Sequence, residues 1–124
     1  MNNTGMAKIA LIDSHPLMRE CISNYLSGSD YAITLQVDDG KELIEQLTME
    51  NVPDVCLLEF NARSKTGYET IKMLRSAWPN MKIAIYSMQT GPVENKTPSG
   101  ADVIIPDQTS IAAFKSTLDN LIQQ

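Results

Sequence analysis

The chain has one histidine and two cysteines, no CxxC pair and no long apolar run. A structural zinc site needs four nitrogen or sulfur ligands at regular spacing, so these counts exclude the common zinc architectures. No stretch approaches the roughly 18 apolar residues of a membrane span, and the opening MNNTGM lacks the apolar core of a signal peptide. Basic residues are also scarce. Ten stand against fifteen acids, a net charge of −5, which argues against nucleic acid as a partner of this chain itself. The expected setting is the cytoplasm, with no membrane contact. No linker or composition break divides the sequence, so a single domain over residues 1–124 is expected, with residues 1–6 disordered or flexible. Apolar content of 43% with 20% charge is a globular balance. A chain of this size buries roughly two-thirds of its unfolded surface.

Short apolar runs alternate with helical patterns. Residues 8–13 (KIALID) read as a first strand, and Pro16 suits the first turn of a helix striped by Leu17, Met18, Cys21, Ile22, Tyr25 and Leu26. Gly28 stops it. Tyr31, Ile33, Leu35 and Val37 alternate with other residues, a pattern for an edge strand. Asp39 is placed to cap a second helix, with Glu42 at the reciprocal position and Leu43, Ile44 and Leu47 facing inward. Val55, Cys56, Leu57 and Leu58 form an unbroken apolar run, as a central parallel strand requires. Thr66 and Glu69 have capping-box spacing at a third helix over about residues 67–78, with Ile71, Leu74 and Trp78 on one stripe. Residues 82–88 and 101–105 are the fourth and fifth strands. A last helix begins near Thr109 or Ser110, with Ile111, Phe114, Leu118 and Leu121 at helical spacing. Cys21 and Cys56 both read as reduced core thiols.

Strands alternating with helices imply right-handed crossovers and a doubly wound parallel sheet of order 2-1-3-4-5. The crossover over residues 89–99 (QTGPVENKTPS) has two prolines and one aliphatic side chain, so a fourth helix is shortened or replaced by a loop. In such sheets ligands bind beyond the carboxyl ends of the strands, at the switch between strands one and three. Asp13 and Ser14 end strand one and Glu59 ends strand three, so they should meet there. Ser87 and Asp107 lie on the rim.

At this point a family resemblance is specific. KIALIDSHPLMRECISNYL resembles the start of NarL/LuxR-type receiver domains of two-component response regulators, where an acidic pair precedes His-Pro. LLEFNARSKTGYE resembles their phosphoacceptor segment, IAIYSM the strand ending in a switch hydroxyl, and GADVII the approach to strand five. The resemblance spans almost the whole chain and implies a flavodoxin-like (βα)5 sandwich. It places Glu59 where the phosphoacceptor aspartate stands, and Asp13 as first member of the acidic pair that organises Mg²⁺. Ser14 stands where the second acid is expected, and Asn61 would offer its backbone carbonyl. Ser87 matches the switch hydroxyl. Asp107 stands in place of the family's lysine, by its offset from Gly100, and Ile104 at a position often aromatic. Arg63 and Ser64 replace the usual Pro-Gly.

These departures fall on the chemistry. Phosphoryl transfer depends on positioning and on neutralising oxygen charge. Glutamate adds roughly an ångström of reach, a misplacement that costs about a hundredfold. Ser14 weakens a hard-cation site, and Asp107 reverses a charge. Asp13, Ser14, Glu59 and Asn61 thus make a weak Mg²⁺ site at best, and no other cofactor is expected. The resemblance implies a signalling module rather than an enzyme, a pseudo-receiver acting through protein partners: an output domain, a kinase or a second copy. The competing reading is a working receiver with slow Mg²⁺-dependent phosphoryl acceptance, controlling a DNA-binding output domain outside the chain. A flavin carrier of the same topology fits poorly, because DSHPLMRE offers no phosphate cradle. Simpler readings stand beside these: solvated strand-end acids for Asp13, Glu59 and Asp107, a plain terminal hydroxyl for Ser87, an exposed or capping His15, and core or helix-surface roles for Tyr68 and Trp78. Losing the fourth helix should leave the sheet near Ile83, Ile85 and Val103 partly uncovered, a docking or self-association face. The chain ends at Gln124 as a stand-alone receiver or an excised domain.

Overall fold

In the computed structural model the described residues are 6–26, 28, 30–61, 65–86, 98–106 and 109–123. Five parallel strands form one sheet in the order β2-β1-β3-β4-β5. They are β1 (Ala7–Ile12), β2 (Tyr31–Val37), β3 (Val55–Glu59), β4 (Lys82–Tyr86) and β5 (Val103–Ile105). Four helices are described: α1 (Pro16–Leu26), α2 (Gly40–Gln46), α3 (Lys65–Ala77) and α4 (Ile111–Ile122). The expected loop crossover falls largely on residues 87–97, outside the described residues.

Alternate side chains of the central strands build two separate cores. Ile9, Leu11, Val55, Leu57, Ala84 and Ile105 pack with Ile22 and Leu26 of α1 and Phe114, Leu118 and Leu121 of α4. Ala10, Ile12, Cys56, Leu58, Ile83 and Ile85 pack on the other face with Leu43 of α2 and Ile71 and Leu74 of α3. The unbroken apolar runs are thus explained by coverage on both faces, and each large side chain so buried contributes about 1.5–3 kcal/mol.

Four expectations need correction. Ile83 and Ile85 are fully buried, because α3 covers them; only Val103 is half-buried. The docking face inferred there therefore has no support. Cys21 is exposed, as is Leu17, because the sheet covers a narrower band of α1 than its apolar stripe. Cys56 alone is a core thiol, and burial pushes it up to about 12. The alternation in β2 does not mark one face. Ile33 pairs with Ile9 but Leu35 with Ala10, so Thr34 is an extra residue at a register shift. One inserted residue turns the rest of the strand over: Tyr31 and Ile33 join the α1/α4 core, Leu35 and Val37 the α2/α3 core. Finally, α3 starts at Lys65, so Thr66 lies in its first turn rather than at its cap.

The other helix signals hold. Asp39 caps α2, its side chain accepting from the Glu42 N–H at 2.8 Å, although Glu42 returns a bond to Asp38 rather than to Asp39. Ser110 caps α4. Gly67 sits against Phe60, where an added Cβ would come within 2.6 Å of the ring, so α3 begins hard against the end of β3. At the amino end of the sheet Arg75 donates to the carbonyls of Pro79, Met81 and Gly100 and pairs with Asp102 at 2.9 Å. Asp102 in turn accepts from the Ile83 N–H, tying β4 to the start of β5.

Candidate functional site at the carboxyl ends of the strands

Asp13, one residue past β1, is 1% exposed. Its Oδ1 accepts the backbone N–H of His15 at 2.8 Å, a side-chain turn that bends the chain into α1, where Pro16 holds the first position. The His15 ring Nδ1 lies 2.8 Å from the same oxygen. On the other oxygen, the Tyr86 hydroxyl donates at 2.5 Å. Both carboxylate oxygens are therefore engaged, which is how a buried charge is tolerated. Arg19 binds the Asp13 backbone carbonyl at 2.6 Å and the Asp38 carboxylate.

Glu59 ends β3 in register with Tyr86. Asp13, Glu59 and Tyr86 continue the spacing of Leu11, Leu57 and Ala84, so strand periodicity delivers all three to one side of the sheet. Carboxylate oxygens of Asp13 and Glu59 and a ring nitrogen of His15 lie within 4.8 Å of one another. Burial raises Glu59 above the usual carboxylate range and the Asp13 charge raises it further, while His15 works the other way. Tyr86 is pushed up by burial, then by its bond to Asp13 and by the charges of Asp13 and Glu59. It remains a hydrogen-bond donor.

Asp13 and Glu59 open on a crevice of about 140 Å³, lined also by Ser14, Asp38, Asp39, Asn61 and the start of α3. The structure thus brings together Asp13, Ser14, Glu59 and Asn61. Ser87, Asp107, Arg63 and Ser64 lie outside the described residues. Ile104 is half-buried on the α2/α3 side, as is Trp78, and Tyr68 stacks edge-on against Phe60 at 4.9 Å. Sequence reasoning missed Tyr86, and it gave His15 no link to Asp13. A buried tyrosine must place its hydroxyl, and Asp13 was the acid two strands away at the same level.

Magnesium demands oxygen ligands in near-octahedral geometry and usually relies on one or two carboxylates. Here both oxygens of the buried carboxylate already take hydrogen-bond partners, Ser14 carries no charge, and an imidazole nitrogen stands 2.8 Å from one of those oxygens. This donor set fits a hard cation poorly.

Residues 9–109 match the response regulator receiver domain. The nitrate/nitrite response regulator NarL of Escherichia coli is 32% identical over 89 residues, 71% of this chain and 41% of its own length. The homologous regulator of Haemophilus influenzae is 33% identical over 82 residues, 65% of this chain and 39% of that protein. The matched stretch spans about two-fifths of these relatives. A response regulator from Thermotoga maritima superposes with a TM-score of 0.80 at 15% identity, covering 96% of this chain and 99% of that one. No helix among the described residues is long and apolar enough to cross a membrane. With its sheet order, its two helical layers and a family match over most of its length, the chain belongs to the response regulator receiver domains, of NarL/LuxR type.

Proposed function

We propose that this receiver domain is a pseudo-receiver: a cytoplasmic signalling module, not an enzyme, that works through protein contacts without accepting a phosphoryl group. The observation that carries this reading is the state of Asp13, whose two carboxylate oxygens are already bound by His15 and Tyr86. Glu59 occupies the acceptor position with a longer arm beside that saturated acid, and Ser14 adds no charge to draw a metal. An incoming phosphate therefore meets two acids and little counter-charge. Glu59 carries a permanent carboxylate where an acyl phosphate would form, so it favours one conformer without a donor. The partners in this reading are an output domain, a cognate kinase or a second copy.

The test is intact mass after incubation with a small acyl phosphate and Mg²⁺. The wild-type mass stays unchanged. The triple variant Ser14→Asp, Glu59→Asp, Asp107→Lys gains one phosphate. A stoichiometric gain on the wild type would establish the competing reading of a slow but working receiver.

A further inference from the structure

Loops around a binding crevice usually belong to the least stable part of a fold, because they have to move. Here they are tied together. We propose that Tyr86 is an internal latch: its hydroxyl reaches from the end of β4, over β3, to the Asp13 carboxylate and holds the strand ends around the crevice in one arrangement. The bond is buried and 2.5 Å long. β3 lies between β1 and β4, so two strand spacings, about 9.6 Å, separate their backbones. A tyrosine side chain is long enough to cross that gap to an aspartate; a serine or threonine at the same place is not.

Three observations separate a latch from an ordinary satisfied tyrosine. Tyr86 is held twice: its carbonyl accepts the Phe60 N–H at 2.8 Å while its hydroxyl holds Asp13. Asp13 in turn donates its N–H to the Val37 carbonyl at 3.1 Å and accepts the His15 N–H. Val37, Asp13, Tyr86 and Phe60 thus form one chain of bonds across the ends of β2, β1, β4 and β3. Next, the ring is 6% exposed within the α1/α4 core, so a phenylalanine would serve that packing and the hydroxyl serves the bond. Finally, Ser87, where the resemblance places the switch hydroxyl, is the next residue in the sequence. A displacement there has to begin at a residue whose carbonyl and side chain are both held. The latch supplies, from inside the chain, a restraint to one conformer, and its signalling meaning rests on the pseudo-receiver reading.

Amide hydrogen exchange of the full chain, followed residue by residue by NMR, tests the latch without any phosphoryl donor, so its failure and that of the pseudo-receiver reading are distinguishable. The reporters are the His15 and Phe60 amides at the crevice and the Ile83 and Asp102 amides at the amino end of the sheet. In Tyr86→Phe the crevice amides should lose at least about tenfold in protection relative to the amino-end pair, through an opening nearly independent of urea. Tyr31→Phe is the control, because Tyr31 lies in the same core and its hydroxyl also donates to an acid, Asp119 of α4, at the other end of the sheet. It should leave that ratio unchanged. The wild type should also show a slowly exchanging Tyr86 hydroxyl proton, a reading that needs no variant. An unchanged ratio in Tyr86→Phe, an equal fall in Tyr31→Phe, or no protected hydroxyl proton each overturns the proposal.

Discussion

Asp102 at the amino end of the sheet and Asp13 at the carboxyl end are both acids beside a strand, and they are answered differently. Asp102 meets a guanidinium: Arg75 pairs with it and also binds three backbone carbonyls. The arrangement is electrically closed and ties α3, β4 and the start of β5 together. Asp13 meets an imidazole, a phenol and, across the crevice, a second acid. An acid matched by arginine does structural work. An acid set beside another acid at the topological switch of the sheet is kept at an energetic cost, which is the mark of a functional or formerly functional site.

The contrast can be broken at either end. Arg75→Ala should have the largest effect on stability, lowering the unfolding free energy by about 3 kcal/mol, since it strands several half-buried carbonyls and Asp102. Denaturant unfolding should show this. Tyr86→Phe should cost less, about 2 kcal/mol, because the hydrogen bond lost goes to a charged acceptor while His15 still holds Asp13. A loss equal to that of Arg75→Ala would mean that the carboxyl end is as structural as the amino end.

Glu59→Gln gives the smallest effect, and its sign depends on pH. Glu59 is held above its ordinary range in the folded chain, so the folded state binds its proton more tightly than the unfolded state does. Its contribution is fully present below the unfolded value of about 4.3 and is lost as pH rises through the folded value. The stability of the wild type relative to Glu59→Gln should therefore fall between acidic and neutral pH. Urea unfolding of both chains across that window measures it. A difference that grows with pH would mean that Glu59 is paired with a cation rather than facing Asp13.

The ease of reading the sequence followed the same division. β3 was legible because burial on both faces leaves an unbroken apolar run, and α2 because Asp39 and Glu42 have local spacing. The sheet order followed from alternation alone. The bulge at Thr34 was hidden, because a one-residue insertion keeps every residue type and changes only the face each one meets. The stripe on α1 overstated burial, since apolar spacing does not reveal how wide a band the sheet covers; Leu17 and Cys21 stayed outside. Coverage of Ile83 and Ile85 was misjudged because it depends on how far α3 reaches, a tertiary fact. At the site, Asp13 and Glu59 were visible as strand-end acids. The bonds that saturate Asp13 were not, because Tyr86 is 73 residues away in the chain.

Whether this crevice can seat a phosphoryl group decides between a pseudo-receiver and a working one. Fluorine NMR of the chain with beryllofluoride and magnesium asks that question. Only free fluoroberyllate signals are expected for the wild type, with bound resonances emerging in the triple variant Ser14→Asp, Glu59→Asp, Asp107→Lys. A bound, magnesium-dependent resonance on the wild-type chain, abolished by Glu59→Gln, would contradict the pseudo-receiver reading.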